Sequence, residues 1–143
     1  MPDNSPPELK ESFDALLAPL LLNSALAAIR SGTSTVNANI AVTNTTRALE
    51  RLELNTSDKG MILLGTSPSR EAVENFFFTA KALYRRALGY ITLKEDDDAE
   101  KDLVEAGRLV PDDKAIAGEL SKLRQHKKEK RDKEKKAFKK MFG

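Results

Sequence analysis

The chain has 143 residues, 40% of them hydrophobic and 32% charged, which suits one ordinary domain, mostly helical, or part of a larger one; two independent domains are not expected. It has no cysteine and one histidine, His126, so disulfide scaffolds, thiolate zinc sites, cysteine nucleophiles and histidine-based catalysis fall away; no metal or other cofactor is expected. The net charge of +2 conceals a polarity: residues 122–140 carry 11 Lys/Arg against 3 Asp/Glu, or +8, leaving −6 for the rest. The opening Met-Pro-Asp-Asn-Ser-Pro-Pro-Glu has none of the regions of a signal peptide, and no apolar run is long enough to span a bilayer, so a cytoplasmic location is expected.

Residues 1–11 read as an irregular, proline-rich lead-in. Phe13, Leu16, Leu17, Leu20, Leu21, Ala25 and Ala28 then recur at three-to-four spacing and predict a helix ending at Ser31-Gly32. Pro19 predicts a kink or two abutting segments within it, because proline removes a backbone donor. A second helix is expected at about 37–54, with Ile40, Ala41, Ala48, Leu49 and Leu52 on one face; its Thr and Asn content makes it depend on packing. Residues 55–70 break the pattern. Helical spacing resumes at Val73, Phe76, Phe77 and Ala80 and runs through Leu83, Tyr84, Ala87 and Ile91. Asp96, Asp97 and Asp98 open a further helix, at the end where carboxylates complement the dipole, with Ala99, Leu103, Ala106 and Val110 as its buried stripe and Pro111 as its stop. The last helix starts near Asp112 and shows Ile116, Leu120 and Leu123 on one face; from Arg124 to Lys136 there is no apolar residue, so that part is expected to be solvated, supported by Glu129 with Lys133 and Asp132 with Lys136.

With Ala80 as the first position of a 34-residue unit, Ala87, Tyr90, Ala99, Leu103, Ala106 and Pro111 fall where a tetratricopeptide repeat places small residues, fillers and its terminal proline. Small side chains let two antiparallel helices approach closely, and bulkier ones fill the gaps. A weaker unit precedes it, with Ala25, Ala41 and Ala48 in equivalent roles and Thr45 where a large apolar residue is usual. The expected fold is therefore all-α: tetratricopeptide-type helical hairpins over 12–123 (a degenerate repeat at 12–54, an insertion at 55–80, a clear repeat at 80–113, a capping helix at 114–123), then a basic helical arm at 124–143. The insertion has two readings: a translated intron of about twenty residues, whose removal would bring Asp58-Lys59 almost directly to Lys81, or a genuine lengthening of the helix before Lys81.

Lys81-Ala-Leu-Tyr-Arg85-Arg-Ala resembles the third repeat of chaperone-binding tetratricopeptide proteins, and the ending from Glu129 to Phe142 resembles the tail of the forty-kilodalton, two-domain cyclophilins of fungi. The resemblance implies a co-chaperone-type adaptor whose groove takes the acidic C-terminal peptide of the ninety-kilodalton heat-shock chaperone, or of its seventy-kilodalton counterpart, by a carboxylate clamp. Lys81 and Arg85 would pair with carboxylates and Asn23 would donate an amide; the cyclophilin domain and the first repeat have no counterpart here, so no catalytic residue is expected. Lys81 and Arg85, four apart, share a helix face in any case and can address one pair of carboxylates; a solvated face is the plain alternative for both, as it is for Asn23. The aromatic residues Phe76, Phe77, Phe78, Tyr84 and Tyr90 read as packing residues, and His126 as a surface residue. Two rival functions stay open: the end of a prolyl isomerase gene, or a nonspecific binder of nucleic acid or anionic membrane through the +8 arm, although no aromatic is interleaved between Arg124 and Lys136. Phe138, Met141 and Phe142, following lysine-rich sequence, suit a calmodulin-like partner or a chaperone surface, and faces left open by a missing repeat would favour self-association.

Overall fold

The computed structural model describes residues 7–54 and 70–143. Five helices follow one another: α1 (Pro7–Ser31), α2 (Thr35–Leu54), α3 (Arg70–Thr92), α4 (Asp96–Leu109) and α5 (Lys114–Phe142). No strand occurs among the described residues. The first half of the expected insertion, residues 55–69, lies outside them; the second half, from Arg70 on, is the opening of α3 and continuous with Lys81. Pro19 does not divide α1, which runs 25 residues through it; one missing N–H removes one rung from a helix whose remaining bonds and packed face hold it.

Each turn has a local cause. Gly32 sits at φ +143°, a backbone region closed to most side chains, and Ser34 Oγ accepts the Asn37 N–H at 3.2 Å to cap α2. At the end of α3, Lys94 adopts φ 61°; its N–H reaches the Ile91 carbonyl at 3.1 Å, and the Glu95 N–H reaches Tyr90 at 2.9 Å. This is the left-handed helix stop that usually falls to glycine. Asp113 caps α5, its carboxylate accepting from the Ala115 and Ile116 N–H groups at 2.9 and 3.2 Å.

Short loops make α1/α2 and α3/α4 antiparallel hairpins; each helix packs on the next, and α1 also touches α3. This is an all-α, tetratricopeptide-like arrangement. The interior is built largely from alanine: Ala25, Ala41, Ala48, Ala82, Ala87, Ala99 and Ala106 are wholly buried, with Leu22 and Leu103 the largest apolar side chains so enclosed. Thr45 is equally buried, and its hydroxyl is satisfied by donating to the Ala41 carbonyl at 2.7 Å within its own helix, which is how a polar residue occupies a site usual for a large apolar one. At Gly89 the α2 and α3 backbones come so close that a Cβ would lie 2.8 Å from Val42 Cγ2 and 3.2 Å from the Ala38 carbonyl oxygen.

Five apolar positions depart from the expected pattern, the exposed Val73 near the start of α3 among them. Leu16 and Leu20 on α1 and Ile40 on α2 are exposed, because α1 buries the Leu17, Leu21, Leu22 side of its broad apolar stripe, and α2 turns Ala41, Thr45, Ala48 and Leu52 inward. Phe77 is also half exposed rather than packed, whereas Phe76, Phe78, Tyr84 and Tyr90 pack against the core.

Candidate functional site

Helix α3 carries cations on two faces with different fates. Lys81 is exposed, its ammonium 5.8 Å from the centre of the Phe78 ring. One turn on, Arg85 is part-buried, and its Nη1 donates to the Leu22 carbonyl oxygen of α1 at 2.7 Å. Asn23, the next residue along α1, is exposed. The structure thus brings Arg85 against the Asn23 segment and leaves Lys81 one turn away on α3. Burial, and after it the neighbouring Arg30 cation, depress the Arg85 guanidinium below its ordinary value. A part-buried guanidinium in the field of a second cation favours a bound anion, which offsets both costs. Arg30 did not stand out in the sequence; its only signal is a spacing of seven from Asn23, two turns along one side of α1.

Beside Lys81 lies a cleft of about 130 Å³, walled by Phe77 and Tyr84 of α3 and by Val110 and Ile116 of the following helices. This explains the exposure of Phe77: its ring borders an open cleft. The Tyr84 hydroxyl is pushed up, first by burial and then by the Glu119 and Asp113 carboxylates. Arg85 therefore lies in the field of the Arg30 cation, and its neighbour Tyr84 in that of the Asp113 and Glu119 carboxylates.

Arg86 turns away from this face, as its adjacency to Arg85 requires. Its Nε and Nη2 donate to the two oxygens of Asp102 at 2.7 and 2.8 Å, Nη1 reaches Thr46 Oγ1 at 3.4 Å, and the guanidinium lies 5.7 Å from the Tyr90 ring centre. The hydrogen bonds to Asp102 raise its pKa above the usual arginine value. Arg86 ties α2, α3 and α4 together behind the cation face and holds that part of α3 in place. Asp102 lies three residues after Ala99 in the buried stripe of α4, a polar interruption that marks a buried partner.

A second charged region joins α4 to α5. Lys127 Nζ lies 2.7 Å from Asp97 and 3.5 Å from Glu100, Arg124 lies 3.7 Å from Glu100, and His126 Nε2 lies 3.7 Å from Asp96. The Lys127 ammonium holds the Asp97 carboxyl below the usual carboxylate range, and Asp97 in turn raises Lys127. The adjoining groove, about 710 Å³, is larger than the cleft beside Lys81; Asp97 and Glu100 on its wall are taken up by Lys127 and Arg124, and Lys94, Lys128, Lys130 and Arg131 border the rest. The arm expected to be solvated from Arg124 onward is therefore held by charge as far as Lys127. Among the described residues, no group of His, Asp and Glu is placed to hold a metal ion, and no helix is long and apolar enough to cross a membrane.

No protein-family model matches the chain. Curated proteins do match along its whole length: peptidyl-prolyl cis-trans isomerase D from two strains of Cryptococcus neoformans var. neoformans serotype D, 39% identical over 143 residues, and the same-named protein of Mycosarcoma maydis, 32% identical over 146. The chain is a homologue of peptidyl-prolyl cis-trans isomerase D. It spans about one third of the length of these relatives, 33% of the Cryptococcus proteins and 34% of the Mycosarcoma one, so its helices correspond to one part of a longer protein.

Proposed function

We propose that the chain is a co-chaperone-type adaptor in protein folding, whose α1–α3 face binds the acidic C-terminal peptide of the ninety-kilodalton heat-shock chaperone in the cytoplasm. Lys81 and Arg85 pair with the peptide's carboxylates, and Asn23 donates its side-chain amide. Arg85 carries the reading: it is a part-buried guanidinium, bound to the α1 backbone beside Asn23 and in the field of Arg30, with the Lys81 ammonium one turn away. Arg30 adds long-range attraction. The cleft bordered by Phe77 and Tyr84 is suited to an apolar side chain upstream of the terminal carboxylates, and the Asp113 and Glu119 carboxylates near Tyr84 disfavour a peptide laid the other way round. Isomerase activity belongs to the name of the relatives, and no residue here is given a part in it.

Calorimetric titration with a peptide ending Met-Glu-Glu-Val-Asp, against the same peptide amidated at its C-terminus, tests the proposal. Saturable binding of the free acid, lost on amidation and weakened roughly tenfold or more by Lys81→Glu or Arg85→Ala, is the expected result. A folded chain that binds neither peptide, or whose affinity ignores Lys81→Glu, refutes it. Because exposed ion pairs are screened, affinity should also fall with added salt.

A further inference from the structure

Helix α5 continues well past its last partner. Every residue from Lys128 to Phe142 is exposed, and at 1.5 Å per residue these fifteen residues project about 22 Å beyond the Lys127 ion pairs. The projecting part holds eight Lys/Arg against three Asp/Glu. Lys128, Arg131, Lys135, Phe138 and Phe142 recur at three-to-four spacing and so form one stripe free of Glu129, Asp132 and Glu134, while Lys130, Lys133, Lys136, Lys139 and Lys140 spread positive charge over the other sides. Phe138, Met141 and Phe142 are 63%, 75% and 72% exposed, and the two phenyl rings lie 4.7 Å apart.

From the cationic stripe and its exposed apolar end, we propose that the projecting half of α5 docks on anionic membrane surfaces, its lysines and arginines against acidic headgroups and Phe138, Met141 and Phe142 inserted beneath them. The distribution of the apolar groups selects this partner. A helix gripped by an acidic protein needs anchors spread along its length, whereas here all three lie at 138–142 and none between Arg124 and Lys136. A nucleic-acid surface would use rings set among the cations for base stacking, and none occurs between Arg124 and Lys136. A charged rod with a compact apolar tip matches a layer of charge lying over hydrocarbon.

The test is co-sedimentation of the full chain with vesicles of phosphatidylcholine alone and of phosphatidylcholine with roughly 30% phosphatidylserine. Residues 128–142 bury nothing in the core, although Lys128, Lys130, Arg131 and Glu134 still border the groove beside α4, so Phe138→Ser/Met141→Ser/Phe142→Ser and Lys128→Glu/Arg131→Glu/Lys135→Glu should leave the core intact, verifiable by far-ultraviolet circular dichroism. Binding only to the anionic vesicles, lowered about tenfold or more by the serine variant and about a hundredfold by charge reversal, is the expected result. The chain has no tryptophan, so Phe142→Trp gives a single probe whose emission should shift blue and be quenched by brominated lipid. Lys81→Glu should leave vesicle binding unchanged, which separates this surface from the peptide site. The proposal is overturned by no binding to anionic vesicles, by binding indifferent to the serine variant, or by tighter binding to single-stranded RNA or an acidic protein with the same dependence on the three apolar residues.

Discussion

Asp102→Ala removes both acceptors of the Arg86 fork and leaves a guanidinium, only 21% exposed in the folded chain, without its carboxylate. Breaking a buried pair costs about 3–5 kcal/mol because the surviving charge stays desolvated; the partial exposure of Arg86 and its residual contact with Thr46 place the expected loss near the lower end, about 3 kcal/mol. With a urea dependence of about 2 kcal/mol per molar for a domain of this size, the unfolding midpoint should fall by about 1.5 M. Arg86→Ala should cost more, since Asp102 is the more buried partner at 8% exposure. Arg86→Met/Asp102→Leu, which removes both charges and keeps the volume, should recover most of the loss, because the penalty lies in the stranded charge. Urea titrations followed by circular dichroism give all four midpoints. An Asp102→Ala midpoint close to that of the parent, or a double variant as unstable as the sum of the singles, would refute the role assigned to this pair.

Gly89→Ala should destabilise by about 1–3 kcal/mol, measured as a lowered melting temperature, because its methyl group would enter the 2.8 Å gap to Val42; adding Val42→Ala should restore only part, since the Ala38 carbonyl oxygen stays in place. Lys94→Gly should stabilise by roughly 0.5–1 kcal/mol, relieving a left-handed conformation while keeping both turn hydrogen bonds. Docking of the first part of the arm should follow the Lys127–Asp97 pair. A lowered Asp97 pKa means a contribution present above the ordinary carboxylate range and lost as pH falls through the lowered value; the raised Lys127 pKa means that it is lost again as pH rises through that value. Nitrogen-15 relaxation at residues 124–130 should report greater mobility at acid pH, at high salt, and in Asp97→Asn at neutral pH; unchanged relaxation in all three would refute it.

Helix order, the hairpin pairing and most of the core were readable in advance because alanine and leucine at three-to-four spacing leave few other solutions: Ala87, Ala99, Leu103 and Ala106 all lie at zero exposure. The first helix was harder. Its stripe from Leu16 to Leu21 is wider than one contact face, so periodicity alone could not decide which edge would be left to solvent. Thr45 looked like a defect because its hydroxyl partner, the carbonyl four residues back, belongs to every helix and leaves no mark in the sequence. The relation of Arg85 to Leu22 and Arg30 spans sixty-three and fifty-five positions, and only tertiary packing creates it. The spacing of Lys81 and Arg85 was local and could be read directly. The attachment of Arg124 and Lys127 to α4 was hidden for another reason: ion pairs need no apolar periodicity.

An interior made of alanine has an asymmetry of its own. Removing volume at Ala25, Ala41, Ala82, Ala87, Ala99 or Ala106 is hardly possible, since only glycine is smaller, and what glycine would cost is mainly helix propensity, about 1 kcal/mol. Adding volume is another matter, for one extra methylene must enter an interior that already leaves these methyl groups no exposure. Drift at these sites is therefore confined to alanine, glycine and serine, while the exposed and half-exposed leucines, valines and phenylalanines remain free to change. The lineage can alter what its outer faces recognise without disturbing the distance between its helices.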